Sequence, residues 1–220
     1  LTGAAMKFRQ LGRFFSSLFL FGAAVIPDYL VAQDKYPAMP VEVVVPYAPG
    51  GAADIIARPL AIQLQKSLGE PFLVVNKPGA SGAIGARYVS VAPPNGHTLA
   101  VMVVQASILP VVDDLFSRPR QYSTGQFIGI ARLTAEPVVL MANSTTGLTS
   151  LKDLIAIAKQ QPGRVEFSSG GNYAGNHLPI ALLGQVAGID FLHVPYKGGG
   201  PSMQAALSGE VKLTAQVPGV

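Results

Sequence analysis

The stretch Val41–Ala57, VEVVVPYAPGGAADIIA, decides how the rest of the chain is read: a β-branched run, a Pro-Gly-Gly turn, then a helical pattern. A strand that ends in glycines and feeds directly into a helix leaves several backbone N–H groups unpaired at the helix N-terminus. Those donors and the helix dipole both favour negative charge, so the arrangement suits an anion. Glycine also lets a backbone approach a ligand closely and adopt positive φ at small cost. An ordinary βα turn has the same local sequence. What weighs against that reading is repetition, because the chain builds this kind of loop three more times.

Outward from this unit, short apolar runs alternate with helical patterns. Val41–Val45 reads as a strand and Ala53–Leu68 as a helix closed by Gly69. Pro59 conflicts with that helix, since an interior proline costs roughly 3 kcal/mol, and a kink or a late helix start is expected. Phe72–Val75 is the second strand, followed by a loop over Asn76–Gly82 and a helix to about Val91. Thr98–Val104 reads as a third strand, with Ile128–Leu133 and Pro137–Ala142 as further strands. Ser150 and Asp153 resemble a capping box opening a helix Leu151–Gln160. Val165–Phe167 is a strand, His177–Ala187 a helix ended by Gly188, and Phe191–Val194 a strand. Pro201–Leu207 reads as a helix with proline at its first position, and Val211–Ala215 as a last strand. The alternation argues an α/β fold with largely parallel sheets, and Thr134–Leu148 reads as a crossover between two lobes.

The four strand-to-helix loops are Tyr47–Asp54, Asn76–Gly82 (with Ser81), Gly170–His177 and Tyr196–Gly200. In open α/β sheets ligands bind outside the carboxyl ends of the strands, so such loops converge by construction. Together they predict a cleft that holds an anionic or carbonyl-rich ligand through backbone donors. Nucleotide readings fail on spacing: Gly79, Gly82 and Gly85 do not form GxGxxG, and no GxxxxGK[ST] occurs. Hydrolysis is poorly supported. No GxSxG elbow exists, and a triad of Ser81 or Ser169 with His177 and Asp54 competes with simple capping roles for those serines. The three histidines, His97, His177 and His193, lack metal-ligand spacing. His177 is the one expected near a ligand, with helix capping as the equal alternative. Asp54 either stabilises the helix dipole and pairs with Arg58, or rigidifies the loop or takes a ligand's ammonium or hydroxyl.

Composition narrows the class. Apolar residues at 49% with 13% charged argue for a packed core and against disorder. The net charge of +4 is partly a leader effect. Removing residues 1–32 takes Lys7, Arg9, Arg13 and Asp28 from the 16 basic and 12 acidic residues, leaving 13 against 11. No nucleic-acid partner is implied. Met6-Lys7-Phe8-Arg9 opens a basic n-region, Phe14–Ile26 is apolar, and Ala32 is a plausible last residue before cleavage. Residues 1–32 thus read as a secretory signal peptide starting at Met6, with a membrane anchor as the rival. The chain has no cysteine, which removes disulfide scaffolds, thiol catalysis and Cys-ligated metals.

Read together, PYAPGGAADIIAR, VVNKPGASGAIGA, NGHTL, GGNYAGNHL and VPYKGGGPSMQAALSGEV resemble the solute receptors of tripartite tricarboxylate transporters, the Bug-type periplasmic binding proteins. The likeness covers about residues 36–217 in the family's order. It implies two α/β lobes of the periplasmic binding protein type II kind, residues 36–135 and 136–220, closing on a small carboxylate. The family continues well beyond this length, so a C-terminal truncation is expected, with the second lobe and the return to the first incomplete. The resemblance points to Pro49, Gly50, Gly51, Ala52 and Asp54 in one loop and to Gly171, Ala174, Gly175 and His177 in the other. The family's VPYKG loop adds Tyr196, Lys197 and Gly198, while Gln105 and Ser107 stand where a small polar loop is expected to touch ligand. Tyr47, Gln105, Asn172 and Tyr173 would give a moderately polar pocket.

The resulting expectation is a non-enzymatic, monomeric receptor in the periplasm, without cofactor or metal. It would deliver a mono-, di- or tricarboxylate or an acidic amino acid to the permease subunits of such a transporter. The alternatives are an exported hydrolase-like enzyme acting on carboxylate-bearing substrates and a ligand-binding partner of a membrane sensor.

Overall fold

A computed structural model describes residues 35–217, so the signal peptide assigned to residues 1–32 lies outside the described residues. β1 (Val41–Val45) is the central strand of a three-stranded parallel sheet, order β2-β1-β3, with β2 at Phe72–Asn76 and β3 at Thr98–Ala100. A central parallel strand is covered on both faces, which is why four of its five residues are valine and all four are buried. α1 (Ala52–Leu68) packs on it through Ala53, Ala57 and Ala61, a stripe of small residues at four-residue spacing. The helix starts directly after the loop and runs through Pro59 to Gly69, so the late start expected from Pro59 does not occur. Pro59 sits on the exposed face, with Ile55, whose carbonyl loses its helical partner, exposed as well, while the alanine stripe anchors both sides.

The third strand is shorter than expected. It ends at Ala100, and Gln105–Leu115 forms α3, a helix in place of the polar loop expected at Gln105–Ser107. Burial drives this: Leu109 packs with Ala83 and Ala86 of α2 (Ala83–Ser90) and with Tyr122. Ile128–Leu133 is not a strand either. Ile128 and Ile130 are 89% and 80% exposed, with no ladder partner among the described residues.

The second sheet has the order β4-β7-β5-β6, with β4 Val139–Ala142, β5 Val165–Ser169, β6 Phe191–Pro195 and β7 Leu213–Gln216. β5 runs parallel to both β6 and β7, and β4 is antiparallel to β7. The predicted α/β alternation with largely parallel pairing is therefore observed. α4 (Leu151–Gln160) begins where the cap predicts, Ser150 Oγ accepting the Asp153 N–H at 3.1 Å. The Asp153 carboxylate accepts from Thr149 instead of closing the box on Ser150. α5 (Leu178–Ala187) follows His177. α6 spans Gly199–Ser208, so Pro201 is its third residue and not its first. Leu154, Ala158, Ile180, Val165, Phe167, Leu213 and Ala215 form the apolar core of this half.

Candidate functional site

The carboxyl ends of the parallel strands of both sheets face one cleft of about 500 Å³. Convergence is a property of parallel α/β topology, and here it brings the starts of three helices together. A Cβ on Gly51 would sit 3.3 Å from the Gly199 nitrogen, and one on Gly200 would sit 2.8 Å from the Pro49 carbonyl oxygen. The N-termini of α1 and α6 meet with no side chain between them, and the Ala48 N–H donates to the Lys197 carbonyl at 3.0 Å. Gly51 has extended backbone, so its glycine is required by close approach and not by φ.

A helix leaves its first N–H groups without intrahelical partners. Among the described residues, the N–H groups of Gly51, Ala52 and Ala53 at α1, Val104 and Gln105 at α3, and Gly198 and Gly199 at α6 have no protein acceptor. All seven residues line the cleft. The positive ends of three helix dipoles add to those donors, so the cleft is electropositive without a lysine. Arg132 and Glu136 are the charged residues on its wall. Gln105, 3% exposed, bridges the two halves: its Nε2 donates to the Ser81 carbonyl at 3.3 Å and its Oε1 accepts the Gly175 N–H at 3.4 Å. Tyr47 is a buried wall residue whose phenol burial holds well above its ordinary pKa.

Seven of the residues singled out from the sequence line the cleft: Tyr47, Gly51, Ala52, Gln105, Ala174, Gly175 and Gly198. The others have different duties. Pro49 has no N–H, and the Gly50 N–H goes to Asp54 Oδ2 at 3.0 Å. Asp54 is 3% exposed and engaged by protein: Arg58 Nε and Nη2 donate to it at 2.9 and 2.8 Å, and Asn76 Nδ2 at 2.9 Å. Burial alone would raise its pKa, but the hydrogen bonds from Arg58, Gly50 and Asn76, with the Arg58 charge, hold it below the ordinary value. Since Asn76 also donates to the Tyr47 carbonyl, Asp54 ties the loop to β2 and α1, with its carboxylate engaged by protein donors. Ser81, at φ +56°, packs against Gly171, and Ser107 lies on the exposed side of α3.

The Gly171 N–H bonds Ser169 Oγ at 3.2 Å. Tyr196 donates to Glu210 at 2.6 Å, a bond that pushes its phenol pKa up to about 12. Lys197 offers the cleft region a carbonyl, and its exposed side chain is not part of the wall. His177 lies outside the cleft wall. Its Nδ1 accepts the Tyr173 N–H at 3.0 Å within the preceding loop, and its side chain makes no cap on α5, so neither the ligand-contact nor the capping expectation describes it. The imagined triads dissolve with these partners, and Ser169 is fully buried.

Sequence reasoning missed the segment Ala131–Glu136, the run Val101–Val104, Asn176, Gly199 and Gln216. Gly199 and Asn176 stood inside quoted loops and could have been included. Nothing local marks Ala131–Glu136, which reaches the cleft only through the path of the chain between the sheets.

Comparison with known proteins agrees with this geometry. The family model described as "Tripartite tricarboxylate transporter family receptor" matches residues 56–220. A Cupriavidus necator protein from the gbd 5′ region is 34% identical over 197 residues, 90% of this chain and 59% of that protein. Protein BugT of Bordetella pertussis is 35% identical over 192 residues, 82% of this chain and 55% of its own length. Among solved structures, one described as a periplasmic transporter superposes with a TM-score of 0.76 at 33% identity, covering 83% of this chain and 60% of that one. MatC from Rhodopseudomonas palustris with bound malate gives 0.75 at 30% identity over 83% and 61% of the two chains. A second R. palustris protein, with adipate, gives 0.73 at 30% identity over 83% and 60%. The chain therefore spans little more than half the length of these relatives and has the α/β architecture of periplasmic binding proteins. With converging helix N-termini, a family match over most of its length and relatives of the same fold, this chain belongs to the tripartite tricarboxylate transporter receptor family.

Proposed function

We propose that this chain is the ligand-holding part of a periplasmic receptor that captures a small carboxylate through backbone N–H groups. The observation that carries this reading is the cluster of seven N–H groups without protein acceptors, from three helix N-termini, on one cleft wall. A carboxylate oxygen can accept two such bonds, and charge-assisted bonds of this kind are roughly twice as strong as neutral ones. Malate and adipate in two related structures fit the same chemistry. The family is one of receptors and not of enzymes. In this reading the elements within residues 36–135 and 136–220 are two lobes, and the Gly51–Gly199 approach is where they close.

The proposed donors are Gly51, Ala52, Ala53, Val104, Gln105, Gly198 and Gly199, with Tyr47, Arg132, Asn176 and Gln216 shaping the remainder. Backbone donors read a carboxylate group and leave its scaffold to the walls, so Arg132 would favour a second carboxylate. The protein would act as a monomer, reach the periplasm through residues 1–32, and hand its ligand to membrane permease subunits of a tripartite tricarboxylate transporter. Calorimetric titration with malate, adipate and acidic amino acids tests the reading. Binding on the order of micromolar dissociation constants without turnover is expected. Absence of binding across the panel, or product formation, overturns it.

A further inference from the structure

Three side chains brace the loop Gly170–Asn176 from outside the cleft. Ser169 Oγ, fully buried, lies 2.6 Å from His193 Nε2, accepts the Gly171 N–H at 3.2 Å and donates to the Gly171 carbonyl at 3.0 Å. His177 Nδ1 accepts the Tyr173 N–H at 3.0 Å. The two imidazoles stack, with centroids 4.0 Å apart and planes 18° from parallel, and His193 also stacks on Phe167 at 4.7 Å. Both rings line a separate hollow of about 420 Å³ that shares no residue with the cleft. Tyr173 itself holds φ +61°, a strained conformation that something must enforce.

Resting on the function proposed above, we infer that His177 and His193 are positioning residues for the carboxylate cleft: as a neutral stacked pair they hold the Gly170–Asn176 loop in shape, and acid releases it. The chemistry follows from the acceptor at Nδ1. His177 can accept the Tyr173 N–H only while Nδ1 is unprotonated; a proton there sets a donor against a donor. Two charged rings cannot stack at 4.0 Å without strong repulsion. Burial lowers the pKa of both, and burial together with the neighbouring His177 brings His193 down to about 4. The other titratable groups around the pair are the Tyr173 phenol, edge-on to His177, and the Asp190 carboxylate, whose residue lines the same hollow; neither the phenol nor the carboxylate hydrogen-bonds to an imidazole. Ala174, Gly175 and Asn176 of this loop form part of the cleft wall, so loosening it degrades the wall directly.

Two measurements on the full 220-residue chain test this, at about pH 7.5 and about pH 4.5, on either side of the ordinary histidine pKa. The first is amide hydrogen-exchange protection at Tyr173 and Gly171 without ligand, corrected for the intrinsic pH dependence of exchange. It should fall at least about tenfold in acid in the wild type. It should hold in His177→Asn, which keeps an acceptor near Nδ1 but cannot titrate. The second is malate affinity, compared as the ratio of wild type to His177→Asn so that protonation of malate cancels. That ratio should drop about tenfold or more in acid. Equal pH profiles for the two proteins, or wild-type protection unchanged in acid, overturn the inference. If malate and adipate bind at neither pH, the receptor reading fails, while the exchange measurement still decides the role of the histidines. If His177→Asn does not fold, His177→Gln, which also offers an acceptor and cannot titrate, is judged by the same criterion, and wild-type protection unchanged in acid overturns the inference without either variant.

Discussion

The loop after β1 and the loop after β5 occupy equivalent places at the ends of their sheets, yet they are stiffened by opposite chemistries. Around the first, a buried carboxylate gathers four donors, from Gly50, both ends of the Arg58 fork and Asn76. Around the second, neutral groups do the work: a serine hydroxyl and two stacked imidazoles. Neither device places an ionised side chain on the cleft wall, where Arg132 and Glu136 are the charged residues. The two devices differ in what disrupts them. The first fails when its anion is lost, and the second fails when a cation is created.

The largest expected effect comes from removing that anion. Asp54→Ala leaves the Arg58 fork, the Gly50 N–H and the Asn76 amide without their acceptor. Breaking a buried pair costs about 3–5 kcal/mol, and because Arg58 is half exposed a smaller loss, about 2–3 kcal/mol, is expected. Denaturant unfolding measures it. A loss under about 1 kcal/mol would mean the first loop does not depend on its carboxylate.

Next comes Gly51→Val, which forces a side chain into the 3.3 Å gap to Gly199 and parts the α1 and α6 N-termini. Carboxylate binding should weaken by about 2 kcal/mol, the order of a charge-assisted hydrogen bond plus steric exclusion. The far-ultraviolet circular dichroism spectrum should stay near wild type, because the extended backbone at Gly51 tolerates any residue. Unchanged affinity would remove the α1–α6 meeting point from the site.

The two loops should also separate on acidification. His177 and His193 have lowered native pKa values, so the unfolded state binds more protons. Their contribution is fully present above the ordinary value of 6.5 and is lost as pH falls below it, for His193 toward about 4. The Asp54 pKa is also lowered, but its contribution is present above its ordinary value of 3.8 and is lost only as pH falls below it. Residue-resolved exchange should therefore show Tyr173 opening at higher pH than Gly50. Simultaneous opening would erase the distinction between the two devices.

The smallest effect is expected from Lys197→Ala. The exposed ammonium does not line the cleft, and the residue's contribution is its carbonyl, which accepts the Ala48 N–H. Affinity should change by less than about 0.5 kcal/mol by calorimetry. A larger loss would restore the lysine to the ligand's surroundings.

The sequence alone determined what is decided within a turn or two of chain. VEVVV followed by Pro-Gly-Gly specified a buried strand and a helix start, Gly69 and Gly188 specified helix ends, and Ser150 specified where α4 begins. The α/β alternation and the convergence of the loops after β1, β5 and β6 follow from the same local signals, whereas no residue of the loop Asn76–Gly82 lines the cleft. Tertiary structure decided the rest, because each remaining feature depends on partners far along the chain. Val101–Val104 reads as strand, yet burial of Leu109 against Ala83, Ala86 and Tyr122 goes with an α3 that begins at Gln105. Whether an N–H faces a ligand or the protein is likewise non-local. Gly175 loses its donor to Gln105, seventy residues earlier, while Gly51 keeps its own because Gly199 approaches without a side chain. Composition reports how many backbone donors glycine-rich loops expose, and only packing settles which of them stay unpaired.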